Sequence, residues 1–111
     1  MIDWDRVREL RDEVGAEDFQ EVVQIFLEEL DEALVRLRDA PAQDIEEGDL
    51  HFLKGCALNL GFDDVTRLCR EGECALRSGA LPADKAAEIA AAGERSKEAF
   101  VAGCRFCGMA A

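Results

Sequence analysis

The longest unbroken pattern in this chain limits what it can become. Between Ala16 and Ala40 there is no glycine and no proline. Across that stretch Phe19, Val22, Val23, Phe26, Leu27, Leu30, Leu34 and Leu37 recur at short helical steps. The recurrence follows the 3.6-residue turn of an α-helix and puts all eight on one side. The spacing predicts a helix over about 17–39, apolar along one face for five turns. A stripe of that length is buried by packing against other helices, so the rest of the chain must supply them. Glu28, Glu29, Asp31 and Glu32 lie on the remaining surface and read as a solvated face.

Helix breakers divide the rest into four further segments. Trp4 to Val14 carries Trp4, Val7, Leu10 and Val14 at helical spacing, with Asp3 as the capping residue and Gly15 as the stop. Trp4 reads as the anchor that packs this short helix across the end of a bundle. Ala40-Pro41-Ala42-Gln43 interrupts the pattern. Asp44 then starts a third helix, with Glu47 three residues on as in a capping box, and Gly61 closes it. A fourth starts at Asp63 or Asp64, ends near Ser78 and Gly79, and has Val65, Leu68, Cys69, Gly72 and Leu76 as its core stripe. Pro82 suits the first position of a fifth, which runs to about Cys107 with Ile89, Gly93, Phe100, Val101 and Cys104 on its core side. The expected fold is all-α: an antiparallel four-helix bundle made of the last four helices, with a short additional N-terminal helix. Residues 1–111 fit a single domain by size.

The formal net charge of −12 repels nucleic acid and anionic membrane surfaces, so neither is an expected partner. No apolar run approaches the ~20 residues of a membrane span, and no secretory leader pattern is present. A cytoplasmic monomer is the expectation. The five cysteines, Cys56, Cys69, Cys74, Cys104 and Cys107, are odd in number, which argues against a disulfide framework. Cys104 and Cys107 have the spacing of half a zinc site or a redox pair. Together with Phe100, they also continue a core-facing stripe at i, i+4 and i+7, the role to which free cysteine is suited. Cys69 sits on a similar stripe, whereas Cys74 falls opposite the apolar side of its helix.

The third segment concentrates the chemistry. His51, the one histidine, is followed by Lys54 at i+3 and Gly55 at i+4, so all three share a strip of helix surface. Counting Ile45, Phe52, Cys56 and Leu60 as the apolar sector, with Leu53 at its edge, puts His51 about 150° from the middle of that sector. Leu58 is the one apolar residue beside the polar strip. A nucleophile needs space for its electrophile, and a transferred phosphoryl group needs a nearby cation. His51, Gly55 and Lys54 have those three qualities, although the spacing also suits a histidine on an ordinary solvated face. Gly48 and Gly55 each cost the helix about 1 kcal/mol relative to alanine. An empty position beside the imidazole accounts for Gly55, and nothing in the sequence accounts for Gly48.

His51-x-Leu53-Lys54-Gly55, followed by Asn59-Leu60-Gly61, resembles the signature of histidine-containing phosphotransfer (HPt) domains. The segments Trp4 to Gly15, Phe19 to Leu37 and Leu68-Cys69-Arg70-Glu71 resemble that family's flanking helices. Three positions depart from the pattern: Leu50 where a small residue is usual, Cys56 for a common serine, and Gly72 for a leucine. The resemblance implies a phosphorelay intermediate in which His51 accepts and donates a phosphoryl group through Nε2 and Lys54 offsets its charge. The implied partners are response-regulator receiver domains and a hybrid histidine kinase, with Mg²⁺ supplied by the receiver and no cofactor or metal of the chain's own. Glu73 resembles a polar position across from the histidine, where a carboxylate would orient the imidazole; a plain surface glutamate fits that position as well. Leu50 and Leu58 are expected to border the patch that receives the partner. No Gly-rich phosphate loop is present, so no kinase activity of its own is expected. Competing readings are a helical adaptor without chemistry, a thiol or zinc protein built on Cys104 and Cys107, and a histidine kinase dimerisation domain.

Overall fold

A computed structural model describes residues 1–106, the last two by backbone alone; Cys107 lies outside the described residues. Five α-helices follow one another: α1 (Trp4–Val14), α2 (Ala16–Asp39), α3 (Glu47–Leu60), α4 (Asp63–Arg77) and α5 (Ala83–Phe106). The last four close a ring in which α2 packs on α3, α3 on α4, α4 on α5 and α5 on α2, while α1 lies across α2 and α3. No β-strand occurs among the described residues apart from one isolated bridge between Ile2 and Phe62.

The stripe of α2 forms one wall of the core, with Phe19, Val23, Leu27, Leu30, Leu34 and Leu37 all buried. Burying side chains of this size stabilises the fold by about 1.5–3 kcal/mol each. Facing them are Leu53 and Leu60 of α3, Val65, Leu68 and Cys69 of α4, and Ile89 and Phe100 of α5. Two core-side glycines act as seats for large neighbours. A Cβ at Gly93 would meet Leu34 within 2.5 Å, and one at Gly72 would lie 2.8 Å from Leu50. Trp4 stacks on Phe100 with ring centroids 5.7 Å apart, and α5 passes the indole closely at Gly103. The tryptophan therefore anchors α1 across the bundle end.

Two details place the histidine helix. At its C-terminus Gly61 takes a left-handed conformation (φ 73°) and its carbonyl accepts the Asp3 N–H at 2.7 Å. A Cβ there would sit 2.5 Å from the Asp3 carbonyl oxygen, so the close approach of the N-terminal segment requires glycine. At its N-terminus the expected start at Asp44 is corrected. Residues Ala42–Asp44 form a 3₁₀ turn after Pro41, and α3 begins at Glu47. Asp49, not Glu47, reaches back: its Oδ2 accepts the Glu46 N–H at 2.8 Å. Ile45 lies between turn and helix in extended conformation and is buried.

Candidate functional site

The apolar face of α3 lies about 50° from the expected one at 100° per residue, because Leu50 and Ala57 are buried and Phe52 is not. Its buried residues are Leu50, Leu53, Cys56, Ala57 and Leu60. Two expectations change as a result. Phe52, counted in the core sector, is 49% exposed. Leu50, expected on the docking border, is fully buried against α4 and leaves no surface for a partner. His51 comes to the middle of the outward face, its side chain 76% exposed. Leu58 is 45% exposed, so Phe52 and Leu58 are the apolar residues flanking the imidazole on α3. A Cβ at Gly55 or at Gly48 would meet nothing within 4 Å, so the helix face is bare at i+4 and at i−3 from the histidine.

Lys54 does not stand free. It lies on the α4 side of α3, its side chain only 18% exposed, with Nζ 2.7 Å from Glu73 Oε1. Glu73 is 4% exposed, so the surface-glutamate reading is corrected: α4 turns the carboxylate inward beneath the histidine. Its Oε2 lies 3.9 Å from His51 Nδ1 and 3.7 Å from Arg77 Nη2. The Lys54 contact is an ion pair without hydrogen-bond alignment, and Oε1 has no hydrogen-bonded partner. Arg77 also gives a hydrogen bond from Nε to Glu47 Oε1 at 2.8 Å. Lys54, Arg70, Glu73, Cys74 and Arg77 line a depression of about 290 Å³ beside the histidine. The site therefore sets Lys54 and Arg77 against one nearly buried carboxylate, with Arg70 lining the same depression, next to an exposed imidazole.

The surrounding bonds hold this helix in place. Asn59 of the motif donates from Nδ2 to the Gly55 carbonyl at 3.1 Å and accepts from Arg6 Nη2 at 3.0 Å, which ties α1 to α3. Arg36 of α2 pairs with Asp49 at 2.9 Å. Burial pushes the Asp49 carboxyl up, but the Glu46 N–H and the Arg36 guanidinium outweigh it and hold the group below the ordinary carboxylate range. Burial pushes the Cys56 thiol up to about 11, with the Glu29 carboxylate adding to it, and the Cys69 thiol up to about 12. Cys104 is also buried and Cys74 is exposed. Among the described residues no group of three or more His, Cys, Asp or Glu side chains is placed to hold a metal ion.

The structure thus brings His51, Lys54, Gly55 and Glu73 together, adds Leu58 at the border, and removes Leu50. Sequence reasoning missed the parts played by Phe52, Arg77 and Arg6. Arg77 was signalled by its i+4 spacing from Glu73. Phe52 and Leu50 lie about 80° to either side of Leu60, so helical spacing alone does not choose which of them is buried. Arg6 had no local signal, since its partner Asn59 is 53 residues away.

Comparison with known proteins bears on the same segment. A family model described as the Hpt domain matches residues 21–98, which run from α2 into α5 and include the whole of α3 and α4. No curated protein and no solved structure matches the chain. No helix among the described residues is long and apolar enough to cross a membrane.

Proposed function

The chain belongs to the Hpt domain family, and from that premise we propose that it is a phosphorelay intermediate that carries the phosphoryl group on His51. The observation that supports this reading most is the placement of the chain's one histidine. It stands exposed at the centre of the outer face of α3, with bare backbone at Gly55 and a lysine at Lys54. The neutral ring attacks with the lone pair of Nε2 on the phosphorus of an aspartyl phosphate in a receiver domain. The N–P bond forms as the P–O bond to the receiver breaks, and the receiver's carboxylate leaves with that electron pair. The proton on Nδ1 stays, so the phosphorylated ring is cationic. Glu73, on the Nδ1 side, is the carboxylate that orients the ring and balances this charge. In the reverse sense, a second receiver aspartate takes the group.

Gly55 leaves space for the incoming phosphoryl group, and Lys54 offsets its charge. The receiver would supply a Mg²⁺ ion that offsets the remaining charge of the phosphoryl group. The docking surface is Leu58 with Phe52 in place of the buried Leu50: an apolar centre around the nucleophile, with polar residues at the rim. The partners are receiver domains and a hybrid histidine kinase, the chain acts as a monomer, and the cytoplasm is its setting.

The test is transfer from a panel of receivers charged with acetyl phosphate. Wild type is expected to gain one phosphate that is lost in acid and kept in base, as a phosphoramidate is. His51→Gln is expected to gain none while keeping the helical spectrum and melting of wild type, because the residue lies in solvent. Normal transfer to His51→Gln defeats the reading, since the chain has no other histidine.

A further inference from the structure

Lys54 is already bound to something else. The cation that the transfer chemistry requires sits 2.7 Å from Glu73, and that carboxylate is almost wholly removed from water. A phosphoryl group on Nε2 lies on the opposite side of the ring from Nδ1, which is the nitrogen that faces Glu73. One ammonium on a side chain that is four-fifths buried does not serve both anions fully. An ion pair in such a setting is much less screened than one in open solvent, so its competition with a new anion is strong.

We infer that Glu73 is a positioning residue that competes with the phosphoryl group for Lys54, so that His51 holds phosphate loosely and yields it readily. The inference rests on the function proposed above. Resting Lys54 is held by Glu73, and arrival of the phosphoryl group draws the ammonium away. That move would leave a nearly buried carboxylate without its counter-ion, a costly outcome in itself. The structure provides the replacement: Arg77 Nη2 is 3.7 Å from Glu73 Oε2, and its bond to Glu47 is between exposed groups and easily exchanged. Phosphorylation thus shifts Lys54 outward and Arg77 inward around a carboxylate that stays in place. A glutamine at this position would keep a side chain of the same length on the Nδ1 side of the ring but would not hold the lysine by charge.

The experiment loads the full-length protein with phosphoramidate, so that no receiver need be known. Nε2 attacks phosphorus, ammonia leaves, and the N–P bond forms on a ring that keeps its Nδ1 proton. Hydrolysis then returns the N–P electron pair to Nε2 while water supplies the oxygen and both protons of the released phosphate. The N–P bond breaks through a loose transition state in which the phosphoryl oxygens carry less charge than in the starting group. A cation held on those oxygens therefore slows the loss. Glu73→Gln, which frees Lys54, is expected to lengthen the half-life of the phosphohistidine about tenfold, equivalent to about 1.4 kcal/mol. In a Lys54→Ala background the same substitution is expected to change the half-life by less than about twofold, because there is no lysine to release. The lysine ammonium signal of Lys54, followed by heteronuclear NMR, is expected in the unphosphorylated wild type and lost in unphosphorylated Glu73→Gln. An unchanged half-life in Glu73→Gln, or an equal change with and without Lys54, overturns the inference and leaves the phosphorelay reading intact. A wild type that takes phosphate neither from phosphoramidate nor from any receiver defeats the phosphorelay reading itself, and the inference with it.

Discussion

Gly55→Ala separates stability from function at a single atom. In α3 a glycine costs about 0.8–1.0 kcal/mol relative to alanine, because its backbone is freer in the unfolded chain. Whether an alanine recovers that amount depends on what its methyl group meets. At Gly55 a Cβ meets nothing within 4 Å, so no packing penalty offsets the gain. Gly55→Ala is therefore expected to stabilise the protein by nearly the full propensity difference, about 1 kcal/mol, and to raise the melting temperature by about 4 °C for a domain of this size. Gly48→Ala is expected to give a similar gain, since its Cβ also meets open space. The two substitutions differ in what they do to transfer. Gly55 lies one turn from His51 on the side where an incoming phosphoryl group needs space, so its methyl group obstructs approach. Misplacement of reacting groups by about 1 Å costs on the order of 10²-fold. A methyl group at Gly55 is accordingly expected to slow receiver-to-His51 transfer by about 10–100-fold despite the more stable fold. The assays are thermal melting by circular dichroism and single-turnover transfer followed on phosphate-affinity gels. A Gly55→Ala protein that is more stable and transfers at the wild-type rate would refute the access role of Gly55. A less stable one would refute the open space seen around it.

Leu58→Asp and Phe52→Asp are each expected to weaken receiver binding at least tenfold in a calorimetric titration with little change in melting, whereas Leu50→Ala is expected to cost about 2–5 kcal/mol of stability because that side chain fills the seat at Gly72. Under native conditions at pH 7.5, Cys74 is expected to react quickly with a thiol reagent, with Cys56 and Cys69 reacting only on unfolding, since burial holds their thiols protonated up to about 11 and about 12; mass mapping of the labelled peptides reads this directly. The Asp49 carboxyl is held below its unfolded value, so its contribution is fully present above about pH 4 and is lost as pH falls through the lower folded value. The wild-type melting temperature is thus expected to drop below about pH 4 more steeply than that of Asp49→Asn.

Much of the architecture is encoded locally. Asp3 and Gly15 bound α1 because a short side-chain acceptor and a glycine suit those positions whatever lies beyond them. The stripe of α2 reads correctly because eight apolar residues over five turns leave only one face to bury. His51, Lys54 and Gly55 were recognisable as one strip for the same reason, as helical spacing is a property of neighbours in sequence. What local spacing does not determine is the rotation of a helix about its own axis. Ile45 follows the period of α3 but belongs to the preceding turn, and taking Phe52 rather than Leu50 and Ala57 for the buried edge moved the apparent core face by about 50°. That angle is enough to exchange Leu50 and Phe52 between core and surface. The actual rotation is decided by neighbours, above all by Gly72 of α4, whose missing side chain admits Leu50. The same packing turns Glu73 inward. Nothing within a few residues of Glu73 requires a carboxylate to be buried, since its counter-ion Lys54 stands 19 positions earlier on another helix. The sequence by itself determined the number of helices and the strip that carries His51, Lys54 and Gly55. Tertiary packing decided what surrounds His51, because ion pairs and apolar seats between helices form only when two distant surfaces meet.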